Sequence, residues 1–245
     1  MQYFKSDADY PVLSRLKELY PVIRKDTEKL LADEELDKTF MTLTSTATRS
    51  VKSKPQDWKT IPFLLHGEDP EDIRRRYEVE KEFWPLHKII KEKHFLNCRK
   101  DLLDWAYEPA NGIVSLWFSY FEPGCKLGLH TNNDPYMYRA HLGIIVPEGD
   151  AAFKVCDEVI KWKEGEISVF DSCNPHTAWN LTDKPRMLLI ADFFRPELPR
   201  EEAVAMEREQ FHRMINWNPK SMGMSGGYYD LPKDVIEKYA VPGIG

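Results

Sequence analysis

From Asn111 to Pro196 the chain alternates apolar and polar positions in short runs broken by Gly, Pro, Asn and Asp. The runs are GIVSLWFSYF, CKLGLH, YRAHLGIIVP, AAFKVC, VIKW, EISVF, TAWNL and RMLLIADFF. β-Branched and aromatic residues at that spacing favour strands, because successive side chains leave opposite faces of the pleat. Short strands at regular intervals predict a sandwich or barrel, and a double-stranded β-helix (jelly roll) with helices packed outside fits best.

The flanks carry a different period. Val12, Leu13, Leu16, Leu19, Tyr20 and Ile23 recur at helical spacing, with Pro21 as a point of kinking or division. TLTSTATRS (42–50) and DWKTIPFLL (57–65) read as extended, and residues 71–93 mix charged and apolar positions as a helix interrupted at Pro85. After Pro199, EEAVAMEREQFHRMI is helical, and the remaining tail is loop-like with Gly226 and Gly227 as a hinge. The expected organisation is one structural domain. Residues 1–110 form a helical and mixed part packing on the barrel, 111–198 the jelly-roll core, and 199–245 a C-terminal helix and tail.

Composition narrows the function. The 245 residues are 42% hydrophobic and 30% charged, ordinary values for a globular chain, with a net charge of −6. That balance argues against a nucleic-acid backbone binder. The dense basic run RRR (74–76) is flanked by acidic residues and reads as a solvated helix face. No long apolar run and no signal-peptide pattern is present, so the expectation is a cytoplasmic protein without a membrane anchor. Cys98, Cys125, Cys156 and Cys173 form no CxxC pair and read as free thiols.

Histidine placement brings in chemistry. His66, His87, His94 and His212 lie in helical or connecting parts, without partners at ligand spacing, and read as ordinary residues. His130, His141 and His176 fall inside the β region. His130 ends CKLGLH, His176 follows DSCNP, and Arg186 opens RMLLIADFF ten residues later. In a jelly roll, strands distant in sequence converge at one mouth, so two histidines can share a metal. Imidazole suits iron, zinc or copper, and open positions on such a site favour non-haem Fe(II) oxygen chemistry. An arginine facing an apolar interior is costly unless it meets an anion, and its planar fork suits a carboxylate. Arg139 and His141 share one strand face, as do Ser115, Trp117, Ser119 and Phe121. Two arginines, a histidine and a serine inside a small barrel suggest a pocket for a small dianion beside a metal, which is what 2-oxoglutarate requires.

These stretches resemble the aspartyl/asparaginyl β-hydroxylases, a branch of the Fe(II)/2-oxoglutarate dioxygenases. The resemblance runs from about Ser119 to Leu198, through SYFEPG, His130 followed by the histidine of RAHLGIIVP, WKEGEISVFDSCNPHTAW and PRMLLIADFFRPEL. It implies that His130 and His176 are the iron ligands and that Arg186 holds the distal carboxylate of 2-oxoglutarate with help from Ser119. It also places Arg139 and His141 on the cosubstrate and substrate side of the pocket. The family lacks the carboxylate ligand of the usual His-x-Asp pair, and here Asn132 stands at that position. Water or the Asn132 amide would complete the metal shell, with Asp134 a minor alternative. Met137 stands where the animal enzymes carry a second arginine that contacts substrate.

The implied activity is hydroxylation of an unactivated C–H bond with O2, 2-oxoglutarate becoming succinate and CO2. The expected substrate is of amino-acid type, free, peptidyl or carrier-bound, ahead of a lipid-linked acyl chain. Two rival readings stay open: a cupin-like metal enzyme that does not use 2-oxoglutarate, and a non-catalytic jelly-roll module that binds it. The segment from Asn216 reads as a tail on the surface ahead of a lid over the barrel mouth.

Overall fold

The computed structural model describes residues 2–32, 41–42, 58–70, 72–73, 96–217 and 231–244. Its strands are β1 (Phe4–Lys5), β2 (Met41–Thr42), β3 (Trp58–Leu64), β4 (Ile113–Phe121), β5 (Lys126–His130), β6 (Met137–Ile145), β7 (Ala151–Val155), β8 (Glu158–Ile160), β9 (Ile167–Phe170), β10 (His176–Asn180) and β11 (Arg186–Phe194). The helices are α1 (Ser14–Leu31), α2 (Cys98–Tyr107), α3 (Arg200–Trp217) and α4 (Lys233–Tyr239).

The strands form two antiparallel sheets, one in the order β1-β9-β6-β11-β4-β3-β2 and a smaller one in the order β5-β10-β7-β8. This is the double-stranded β-helix with flanking helices that the alternating runs predict. The N-terminal part does more than pack on it: β1 pairs with β9, and β3 pairs with β4.

β11 shows how the sequence divides the two faces of the large sheet. Met187, Leu189, Ala191 and Phe193 turn outward into a core shared with Leu13, Leu16 and Ile23 of the helical layer. Arg186, Leu188, Ile190 and Asp192 turn inward, toward the small sheet. Both faces are covered, so the strand reads as one near-continuous apolar run. The inter-sheet core is aromatic, and Phe153, Phe170 and Trp162 cluster there with Phe121 and Leu188.

α1 buries Leu16, Leu19, Ile23, Asp26, Thr27 and Leu30, a helical stripe. Pro21 lies inside this helix without dividing it. The buried Asp26 carboxylate accepts hydrogen bonds from the Asn97 side chain at 2.7 Å and the Cys98 backbone N–H at 2.8 Å. It thereby satisfies a donor at the start of α2, where an anion also meets the positive end of the helix dipole.

Some expectations need correction or placement. The tail is not wholly loop-like, since α4 forms within it, and Ile244 packs with Ala152 and Trp179 on the outer face of the small sheet. Lys126 and Lys154 donate to the carbonyls of Gly243 and Tyr239, both at 2.7 Å. The expected extended segment 42–50 is described only at Thr42, and RRR (74–76), His87, His94, the hinge at Gly226 and most of the helix expected over 71–93 lie outside the described residues. All four cysteines are free.

Candidate active site

A cavity of about 160 Å³ lies between the sheets, and each inward-facing candidate reaches it. His130 and His176 are direct cross-strand partners on β5 and β10. Their ring centroids are 4.1 Å apart, close enough for one ion to meet a nitrogen of each. Each ring is fixed by a backbone carbonyl two residues upstream: Nδ1 of His130 donates to the Gly128 carbonyl at 2.7 Å, and Nδ1 of His176 to the Asn174 carbonyl at 2.8 Å. This sets the tautomer with the lone pair on Nε2, the arrangement of a histidine prepared for a metal. Burial holds the His130 imidazole well below its ordinary value, and the neighbouring His176 adds to this. Burial likewise lowers His176 to about 4. Both rings are therefore neutral near pH 7, as ligation needs.

Among the described residues no third His, Cys, Asp or Glu joins this pair within ligand distance. The Asn132 amide, oriented as its surroundings demand, accepts from Arg139 Nη1 at 3.0 Å and Nη2 at 3.2 Å. Asp134 lines the cavity but stands outside any such metal-holding group.

Arg186 occupies one end. It is 1% exposed, and its Nη1 donates to the Ser119 carbonyl at 3.1 Å and to Ser119 Oγ at 3.3 Å. Trp58 Nε1 donates to the same Oγ at 3.1 Å, which fixes the hydroxyl. The guanidinium lies 3.6 Å from the Phe121 ring centroid and 4.8 Å from that of Trp162. Among the described residues no hydrogen bond reaches its Nε. Burial without a carboxylate partner pulls Arg186 down to about 9. A buried cation with an unused donor is a group that an anion would stabilise.

His141 sits between, with Phe153 and Phe170 each 5.0 Å away between ring centroids. Trp162 Nε1 donates to His141 Nδ1 at 3.3 Å. An indole can only donate, so Nδ1 carries the lone pair and Nε2 carries the proton. Burial, then Arg139 and Arg186, keep this ring neutral.

The other end differs in charge. Arg139 makes a bidentate pair with Asp192, Nε to Oδ1 at 2.7 Å and Nη2 to Oδ2 at 2.9 Å, and stacks over Trp117 at 5.0 Å. Asp192 escaped the sequence reading. Its signal was present, since it stands six positions after Arg186 on the same face of one strand. His66, read as ordinary, also lines the cavity, where Nδ1 meets Glu207 Oε1 of α3 at 2.9 Å. Trp58 and Gln210 are further lining residues that the sequence did not single out. His212, by contrast, is exposed.

The family model for aspartyl/asparaginyl β-hydroxylases matches residues 17–196. This chain belongs to that family. The match begins inside α1, well upstream of the stretch on which the resemblance rested. Within this hydroxylase family, the ornithine lipid ester-linked acyl 2-hydroxylase of Rhizobium tropici is 31% identical over 192 residues, covering 77% of this chain and 59% of that protein. The mouse aspartyl/asparaginyl β-hydroxylase is 28% identical over 85 residues, 35% of this chain and 12% of its own length. The chain therefore spans less than two thirds of these relatives. Among solved structures, an oxalate decarboxylase-like protein from Thermotoga maritima aligns over 36% of this chain and 71% of its own, at 17% identity and a TM-score of 0.30. Among the described residues, no helix is long and apolar enough to cross a membrane.

Proposed function

We propose that this family member is an Fe(II)- and 2-oxoglutarate-dependent hydroxylase of an amino-acid-type substrate, whether free, peptidyl or carrier-bound, with a lipid-linked acyl chain as the second choice. The observation that carries the reading is Arg186, a buried guanidinium without a carboxylate partner among the described residues, in the same cavity as two oriented neutral imidazoles. The donor set fits the cofactor: His130 and His176 would hold Fe(II) through Nε2, with open positions left on the metal. Bound Fe(II), with 2-oxoglutarate and O2, supplies the oxidant for a C–H bond, and the cosubstrate leaves as succinate and CO2.

The protein's own groups bind and orient. Arg186 takes the far carboxylate of the cosubstrate with its unused Nε–H, and Ser119 Oγ, held by Trp58, adds a second polar contact. His141 offers its Nε2–H as a neutral donor to an anionic oxygen. Trp117, Phe121, Phe153 and Phe170 exclude water from between these groups. The relatives named for aspartyl and asparaginyl groups support an amino-acid-type substrate, whereas the relative named for the ester-linked acyl chain of an ornithine lipid supports the lipid-linked acyl chain as the alternative.

The test is anaerobic addition of Fe(II) and 2-oxoglutarate, followed by the weak metal-to-ligand charge-transfer absorption. The expected band appears in the wild type and is lost in His176→Ala and Arg186→Ala. No band in folded, iron-loaded protein would promote the cupin-like reading. A band without succinate release under any substrate panel would favour the binding module.

A further inference from the structure

The end of the cavity opposite Arg186 holds polar groups that cosubstrate binding does not use. Asp192 stands six residues along β11 from Arg186, roughly 20 Å at the rise of a strand. Asp134 lies close enough to Asp192 and His66 to feel their charges, His66 meets Glu207 of α3, and Gln210, three residues after Glu207 on that helix, lines the same cavity. The carboxylates of Asp134, Asp192 and Glu207 outnumber the cation Arg139, which Asp192 already engages in two hydrogen bonds. Asp134 forms no ion pair among the described residues, and burial raises its carboxyl to about 6 against the opposing pull of Arg139.

Two side chains beyond the acids point to a ligand. Gln210 is 9% exposed and lines the cavity, yet no hydrogen bond reaches its amide among the described residues. Its amide opens onto the cavity with two donors and an acceptor to offer a ligand. His66 is held at φ 51°, in the left-handed region that a β-carbon disfavours, and its backbone N–H donates to Ser115 Oγ at 3.3 Å. Its ring is pinned by the Nδ1 bond to Glu207, itself 7% exposed, and by contact with Phe211 at 4.5 Å between centroids. With Nδ1 donating, Nε2 is the acceptor nitrogen, and it has no partner among the described residues. Backbone strain held in place by this much surrounding structure marks functional positions.

We propose that His66, Asp134 and Gln210 form an ammonium-binding subsite, and that the substrate of the hydroxylase carries a primary amine beside the segment delivered to the metal. This rests on the cavity being the active site and adds the substrate's chemistry to that reading. A primary ammonium has three N–H donors, and the subsite offers three acceptors of different elements: the Asp134 carboxylate, Gln210 Oε1 and His66 Nε2. The excess of carboxylates stabilises the positive charge, and Met137 and Leu65 supply apolar contact for the carbon attached to it.

The experiment measures binding of n-hexylammonium and of the neutral isostere hexan-1-ol by saturation-transfer NMR. Wild type, Asp134→Asn and Gln210→Leu are compared, with 2-oxoglutarate titrated in parallel and thermal midpoints as the folding control. The expected result is a preference of about tenfold for the ammonium probe, lost in each variant while the thermal midpoint holds. Equal binding of the two probes, no ammonium binding at millimolar concentration, or a preference that survives both substitutions overturns the proposal. Wild type that ignores 2-oxoglutarate yet prefers the amine would remove the cosubstrate reading and leave the subsite standing.

Discussion

Two arginines face the same cavity, and the protein treats them in opposite ways. Arg139 is matched by Asp192 through two hydrogen bonds, so its charge is neutralised within the fold. Arg186 is more deeply buried and, among the described residues, meets the Ser119 oxygens and two aromatic faces but no carboxylate. The first arrangement supports the structure with or without a ligand. The second is a standing destabilisation that an incoming anion would relieve. Burial of an arginine is thus not itself the sign of a binding site; burial without a counter-charge is.

The contrast can be broken at either end. The largest effect is expected at Arg139. Arg139→Met strips Asp192 of its partner and should cost about 3–5 kcal/mol in denaturant unfolding. The double variant Arg139→Met/Asp192→Leu should recover most of that loss. A double variant as unstable as the single one would mean that Arg139 acts through its stacking on Trp117.

Acid pH probes the groups between the two ends. His176 has its folded value lowered to about 4 from an ordinary 6.5. On acidification the unfolded chain gains this proton first, so stability falls from pH 6.5 down to pH 4 and is complete above 6.5. The loss from this one residue is about 3 kcal/mol in metal-free protein, and His130 and His141 act in the same direction. Asp134 opposes it, because a carboxyl raised to about 6 gains its proton in the folded state first. Asp134→Asn should therefore steepen the acid loss, read as urea midpoints between pH 7.5 and 4. A flat profile over that range would contradict the buried neutral histidines.

At the other end, Arg186→Met should weaken 2-oxoglutarate by about a hundredfold, close to 2.7 kcal/mol, in isothermal titration. The same variant should raise the thermal midpoint of the ligand-free protein, since it removes a buried charge that nothing offsets. A lowered midpoint, like that expected of Arg139→Met, would erase the distinction between the two arginines.

Much of this site was legible in the alternation of single strands. The period of two placed Arg139 with His141, and Ser115, Trp117, Ser119 and Phe121 together, and the structure has each set on one face. Cross-strand neighbours were harder. Asp192 lies on the same inward face as Arg186, but only the pairing of β11 with β6 shows that it meets Arg139. His66 was read as ordinary because its position depends on a turn and on α3, and no periodicity carries that information. The fold was legible in the same measure. The strands of the core follow the alternating runs, whereas the joining of β1 and β3 to the large sheet depends on long-range pairing that no local window contains.

In the proposed metal-binding role, the cross-strand placement of His130 and His176 makes the histidine pair a proofreader of its own sheet. Sliding β5 past β10 by one residue would send one imidazole to the outer face and break the pair. Only correctly registered molecules can then capture a metal between the two rings. Metal present during refolding becomes a clamp that closes after the right pairing has formed, so retention on an immobilised-ion resin would sort native molecules from slipped ones.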